Sequence, residues 1–358
     1  MGATTAGLVC GHHHLYSTLA RGMPAPPRTP TGFVEILERV WWRLDVALDL
    51  DMLYWSAMLG ATEALLAGTT AIVDHHESPN AIDGSLDVLA SACEAVGVRL
   101  NVAYGVTDRW GDDGRCTNGV DGPPARMTDA ARRGLAECER FIRGGGCGMV
   151  GLHAPFTCSD ETIEAAAGLA RDLGVGVHVH VAEGRVDRTA GERLAPYADD
   201  AWLLVHCVHL DGELPGTIAH NPRSNMNNGV GYARPARRSN RVVLGTDGIG
   251  ADMLEEFRLA YVRLREDDLL ATPDVPWSWI DNAYALVPDA ATDIVTWSYD
   301  HVDDPWRLAF TPGVRALDVV RADGEVLVRD GRPTRVDLDE VRAKAGEHAA
   351  RLFDRLAS

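Results

Sequence analysis

With 358 residues, 46% of them hydrophobic, the chain can bury one large core and needs no division into many domains. Its 52 acidic residues against 34 basic ones give a net charge of −18, which opposes a polyanionic partner, so DNA and RNA polymers are set aside. Seven cysteines, an odd number without a Cys-x-x-Cys pair, read as reduced structural thiols. With no signal-like or membrane-length apolar run, a cytoplasmic protein is the expectation.

In chain order, short apolar strands alternate with amphipathic helices. A strand at 6–11 leads into Gly11-His12-His13-His14, and after a Pro-rich loop at 24–30 a helix is expected over 33–47. A helix over 52–67 stops at Gly68 and precedes a strand at 69–74, rich in β-branched residues. Helix–strand pairs follow at 85–95 and 98–103, then at 128–143 and 148–153. A helix at 160–173 leads into Val175-Gly-Val-His-Val-His-Val-Ala-Glu183. Strands at 201–206, 217–220 and 241–246 complete a set of eight. This pattern predicts an α/β fold, a distorted (β/α)8 TIM-like barrel over 1–270, with its active site at the C-terminal strand ends. Beyond a helix at 253–265, strands at 293–297, 316–320 and 325–328, a turn at Ala322-Asp323-Gly324 and a helix at 337–356 predict a small, truncated β appendage over 271–358.

The ionisable residues do not fall at random on this frame. His12, His14, His153, His180, His206 and Asp247 all lie at or just past strand C-termini. His12 and His14, at i and i+2, share one face and can hold a metal from one side, which leaves His13 turned away. His180 and Asp247 can complete a nitrogen and oxygen shell and leave one position for water. His178 shares a face with His180 but sits about 6.6 Å deeper at roughly 3.3 Å per residue, which favours a hydrogen-bonded scaffold role. His75 and His76 are balanced between pocket lining and structural hydrogen bonds. Trp41 and Trp42 read as helix packing more than as stacking platforms.

The ordered set His12/His14, His180, His206 and Asp247 resembles the amidohydrolase superfamily. His180-x-x-Glu183 is similar to its aminohydrolase branch, which includes cytosine and guanine deaminases and chlorohydrolases. Closest are the SsnA-type aminohydrolases, through Gly11-His-His-His-Leu-Tyr-Ser17, Trp41-Trp42-Arg43-Leu44-Asp45, Asp74-His75-His76, His153-Ala-Pro-Phe-Thr157, Asn221-Pro-Arg-Ser-Asn-Met-Asn-Asn228 and Gly245-Thr-Asp-Gly-Ile-Gly-Ala-Asp-Met253.

The resemblance implies a metal-dependent deaminase that attacks a C=N carbon of a small nitrogen heterocycle with hydroxide and releases ammonia. His12, His14, His180 and Asp247 would hold one divalent metal, zinc or alternatively iron. Asp247 would also accept the water proton, Glu183 would protonate a ring nitrogen, and His206 would orient the water or polarise the carbon. His153 and Asn225 would contact substrate. Two other readings are hydrolysis of a cyclic amide or a non-amine leaving group by the same chemistry, and a catalytically silent metal- or ligand-binding protein. Relatives carry β-sandwich strands ahead of the first barrel strand, and these are expected to be missing here. The trimmed tail should then pack on the barrel or on a second subunit of a homodimer. The partner expected at the site is a small molecule, with no nucleic acid and no membrane.

Overall fold

The computed structural model describes residues 2–113 and 115–357. Eight parallel strands make the central sheet: β1 (Leu8–His14), β2 (Thr69–His76), β3 (Arg99–Val106), β4 (Val150–Leu152), β5 (Val177–Val181), β6 (Leu203–His206), β7 (Thr217–His220) and β8, which runs in two pieces, Val242–Leu244 and Asp247–Gly248. The first piece of β8 pairs with β7, Val243 opposite Ala219, and the second pairs with β1, Asp247 opposite His13. Between them the Thr246 N–H donates to the His12 carbonyl at 3.0 Å. The sheet therefore curls into the expected barrel.

The helices start and stop where their caps dictate. Asp49 accepts from the Met52 N–H at the start of Leu50–Leu66, Thr128 from Ala131 before Asp129–Arg143, and Ser159 from Thr162 before Asp160–Leu173. The barrel is irregular on its later side. A five-residue helix, Ala190–Leu194, stands between β5 and β6, and no helix is found over 207–216 between β6 and β7. That second link is short for a crossover. Helix Asp274–Asn282, beyond residue 270, still packs on the barrel, its Asn282 amide donating to the Val242 carbonyl at 2.9 Å.

The barrel interior shows how the site residues are aimed. Val9, Ala71, Val73, Ala103, Leu203, Val205, Ala219 and Val243 pack together inside. Simple alternation from Val9 would turn His12 outward. A register shift between Cys10 and His13 adds one residue to β1 relative to β2, and this bulge brings both His12 and His14 inward. Gly11 sits in the bulge, where a Cβ would lie 2.6 Å from Val243 Cγ2, so only glycine fits.

The appendage is a five-stranded antiparallel sheet ordered Thr4–Ala6, Ile294–Trp297, Ala316–Val320, Val326–Arg329 and Arg332–Pro333. Its first strand corrects one expectation: ahead of the barrel, Thr4–Ala6 supplies a sheet edge, with Thr5 opposite Val295. The sheet and the C-terminal helix Leu338–Ala357 pack on the barrel, the first of the two alternatives. Arg355 donates to Asp49 Oδ2 at 2.6 Å at the start of helix Leu50–Leu66. Trp297 is fully buried, donates from Nε1 to Thr5 Oγ1 at 2.8 Å, and lies over Gly68, whose φ of +81° and missing Cβ leave room for the ring. Among the described residues no helix is long and apolar enough to cross a membrane.

Trp297→Ala removes the largest fully buried side chain that joins sheet to barrel. It should lower unfolding stability by about 3–5 kcal/mol, read from the denaturant midpoint of the circular dichroism signal.

Candidate active site

Four side chains from three strand ends meet at the mouth of the barrel. The ligating atoms of His12, His14, His180 and Asp247 all lie within 4.8 Å of one another. Their outward ring nitrogens are tied down by groups that fix the tautomer. His14 Nδ1 lies 2.5 Å from the His75 carbonyl, at the end of β2, and His180 Nδ1 lies 2.6 Å from the His153 carbonyl, just past β4. A carbonyl only accepts, so each Nδ1 carries the hydrogen and, in the neutral ring, Nε2 carries the lone pair. Those two Nε2 atoms face each other at 3.3 Å. Asp247 Oδ1 is 3.0 Å from the Nε2 atoms of both His12 and His14, and its Oδ2 accepts from Ser224 Oγ.

Facing lone pairs beside a carboxylate repel unless positive charge lies between them. The protonation balance reflects this. Burial opposes charge on His14, but the hydrogen bond and charge of Asp247, with Asp74 nearby, outweigh it and raise His14 to about 9. Burial, followed by the neighbouring His14, pulls His180 well below the usual histidine range. Burial would raise Asp247, yet the bonds from His12 and His14 hold it well below the usual carboxylate range. The pocket is shaped for a cation, and three imidazoles with one carboxylate fit a divalent metal.

Behind the cluster, His178 Nε2 meets His12 Nδ1 at 2.8 Å, the scaffold role expected of it. His75 Nε2 lies 3.0 Å from the Leu152 carbonyl, and His76 Nε2 lies 2.7 Å from Ser78 Oγ, so both of these histidines are structural. His13 turns to the other face and meets Thr246 Oγ1 at 2.8 Å.

Around the cluster, several non-glycine residues adopt left-handed backbone: Ala182 (φ +47°), His206 (+69°), Cys207 (+52°) and Asp247 (+57°). Such conformations cost roughly 1–3 kcal/mol each and persist where surrounding structure enforces them. Here they re-aim side chains. Val205 already points inward, so alternation would send His206 outward; its left-handed turn brings the ring back over the mouth. Glu183, after the turn at Ala182, places Oε2 3.4 Å from His206 Nε2 and accepts from Asn228 Nδ2 at Oε1, 3.2 Å away. Burial raises its proton affinity.

Asn225, expected to contact substrate, is not among the residues lining the cavity. Asn225 stands behind His206, accepting from His206 Nδ1 at 2.7 Å, while Asn228, one helical turn later, lines the cavity with Glu183. His153 does line the cavity, held by Thr157 Oγ1 at 2.7 Å from Nδ1.

The rest of the lining was not anticipated. Tyr16, Phe33, Leu37, Asp45, Glu77 and Phe156 line the same cavity, and so do Trp41 and Trp42. The helix expected over 33–47 is broken into Phe33–Ile36, a π-helical turn at Leu37–Trp41 and Trp42–Ala47. A π turn shifts helical phase and turns both tryptophans toward the site.

The chain matches the description "Amidohydrolase family" over residues 3–281. It is 29% identical over 369 residues to a 5'-deoxyadenosine deaminase of Methanothermobacter thermautotrophicus, covering 91% of this chain and 82% of the relative. It is 27% identical over 405 residues to a 5-methylthioadenosine/S-adenosylhomocysteine deaminase of Desulforudis audaxviator, covering 98% and 87%. Among solved structures it resembles a zinc-bound adenosine deaminase from Xanthomonas campestris (TM-score 0.79, 20% identity, 98% of this chain and 86% of that one). It also resembles the zinc complex of atrazine chlorohydrolase from Arthrobacter aurescens (TM-score 0.76, 23% identity, 97% and 88%). Fold, strand-end cluster and sequence match agree that the chain belongs to the amidohydrolase family.

Proposed function

We propose that this hydrolase is a metal-dependent aminohydrolase that removes an exocyclic amino group from a C=N carbon of a small nitrogen heterocycle. The observation that carries the reading is Glu183, a cavity carboxyl whose proton affinity is raised by burial, 3.4 Å from His206 and beside the His12, His14, His180 and Asp247 cluster. The deaminase names of the relatives support it. His12, His14, His180 and Asp247 are the residues that would hold the metal. A divalent ion there supplies Lewis acidity that brings the pKa of water toward neutrality. Zinc is favoured over iron(II) by the zinc complexes among the structural neighbours, since the donor set accepts both.

The chain's own groups move the protons. Asp247, steadied at Oδ2 by Ser224, accepts a proton from the attacking water. Glu183, held by Asn228, delivers a proton to the ring nitrogen as the C–O bond forms. His206, fixed at Nδ1 by Asn225, keeps Nε2 toward the reacting carbon. The C–N bond then breaks as Asp247 passes its proton to the amine, which leaves as ammonia, and the remaining hydroxyl proton returns to Glu183 as the carbon becomes a carbonyl. Water and an aminated C=N carbon thus yield a cyclic amide and ammonia, with every atom accounted for.

Glu183→Gln should retain stoichiometric metal by emission spectroscopy while ammonia release from aminopurines and aminotriazines falls by about 10²–10⁴-fold. Surviving turnover would remove Glu183 from the mechanism. His178→Gln deletes a hydrogen-bond partner of a candidate ligand and not the ligand itself. Metal affinity measured against a chelator should fall by about 10–100-fold with the far-ultraviolet spectrum unchanged. A purified protein that takes up no divalent metal would defeat the catalytic reading altogether.

A further inference from the structure

Beyond the reacting centre, the cavity wall carries a buried charge that its own neighbours leave uncompensated. Arg109, fully buried, sends a single nitrogen, Nη2, to Asp45 Oδ2 at 2.5 Å and to Glu77 Oε1 at 2.6 Å. Only the contact with Asp45 has hydrogen-bond geometry. Glu77 Oε1 and Asp45 Oδ1 are left without hydrogen-bond partners, although the two residues are 2% and 1% exposed. Two carboxylates therefore share one guanidinium, an excess of one negative charge in a place where unpaired charge is costly.

A purely structural link from Arg109 to the 42–47 helix needs Asp45 alone. Glu77 is the surplus group, and both carboxylates line the cavity. Without a further cation the cluster compensates by holding a proton: burial lifts Glu77 to about 8 and Asp45 to about 6.

Three further observations limit what could supply the missing charge. No lysine or arginine is among the described residues lining the cavity, and Asp187 and Glu183 add more carboxyl groups, so an anionic tail finds no partner there. Arg109 Nε and Nη1 also lack hydrogen-bond partners, but Arg109 is not among the residues lining the cavity and its guanidinium carbon lies 4.8 and 4.9 Å from the Trp42 and Trp110 ring centres, so it presents no anion clamp to that space. Trp41, Phe33 and Phe156 present aromatic surface to the same space, which suits a cation.

Position fits a substrate substituent. Glu77 Oε2 is 3.8 Å from His153 Nε2, and the His153 ring is 5.6 Å from that of His180. One imidazole separates this wall from the metal-ligand cluster.

We propose that Glu77 and Asp45 form a subsite for a positively charged nitrogen group, an amine or amidinium, on the part of the substrate that stays outside the reacting ring. This deepens the aminohydrolase reading and rests on this cavity being its substrate site.

The test reads binding, so it does not depend on turnover. Metal-loaded protein is titrated calorimetrically at neutral pH with benzylamine, benzyl alcohol, benzoate and the neutral cis-diol 1,4-anhydroerythritol. Benzylamine should bind at least about tenfold more tightly than the alcohol or the diol, and benzoate should not bind. In Glu77→Gln the preference for amine over alcohol should collapse to near unity. A merely structural Glu77 would lower the melting temperature and leave that ratio unchanged. Equal binding of the alcohol or diol in the wild type, preference for benzoate, or a ratio untouched in Glu77→Gln would each overturn the proposal. The wild-type comparison decides the matter even if the variant does not fold. Ammonia release without amine preference would sink this inference alone. Amine preference without ammonia release would sink the deaminase reading alone.

Discussion

Everything at the barrel mouth depends on one electrostatic requirement: lone pairs of buried imidazoles, converging beside a carboxylate, need a positive charge among them. The barrel meets this requirement with backbone as much as with side chains. The carbonyls of His75 and His153 hold the outer nitrogens of His14 and His180, so the pairing of neighbouring strands sets which nitrogen faces the centre. A slip of one residue between β1 and β2 would turn His12 and His14 away together. The bulge at Gly11 is thus as much a part of the site as the histidines it precedes.

The same economy extends around the rim. Left-handed residues at Ala182, His206 and Asp247 redirect the chain where it leaves the strands, so that Glu183, His206 and Asp247 face one space. Short helices and loops then add the groups that hold them. Asn225 bonds His206 and Asn228 bonds Glu183, from successive turns of the segment after β7. Strain in the backbone is tolerated because each re-aimed side chain gains a hydrogen-bonded partner.

Much of this was legible in the chain itself. Alternating β-branched runs, a helix stop at Gly68, and histidines placed at strand ends point to the barrel and to its functional face, because these signals are local and periodic. The choice between His178 and His180 also followed from strand geometry. What escaped was non-local or aperiodic. The π turn at Leu37–Trp41 leaves no mark in composition, so the tryptophans read as packing. Asp45, Glu77 and Arg109 lie far apart in the chain and meet only through β2, β3 and the 42–47 helix. Asn225 and Asn228 differ by one helical turn, and sequence alone does not say which of them faces the cavity. The strand at Thr4–Ala6 was missed because three residues carry no periodic signal and only its pairing with Val295 reveals it.

That three-residue strand has a kinetic corollary. Thr4–Ala6 pairs with Ile294–Trp297, β1 completes the barrel only against β8, and the helix Leu50–Leu66 is covered by the last twenty-residue helix, Leu338–Ala357. Thr4–Ala6 and β1 therefore wait for strands far along the chain before these partners exist. Synthesis at about 5–20 residues per second leaves the apolar edge of β1 uncovered for tens of seconds. Contacts of such long sequence separation also slow folding in general. An architecture that pairs strands so distant in sequence leaves one edge of β1 open until β8 has been made.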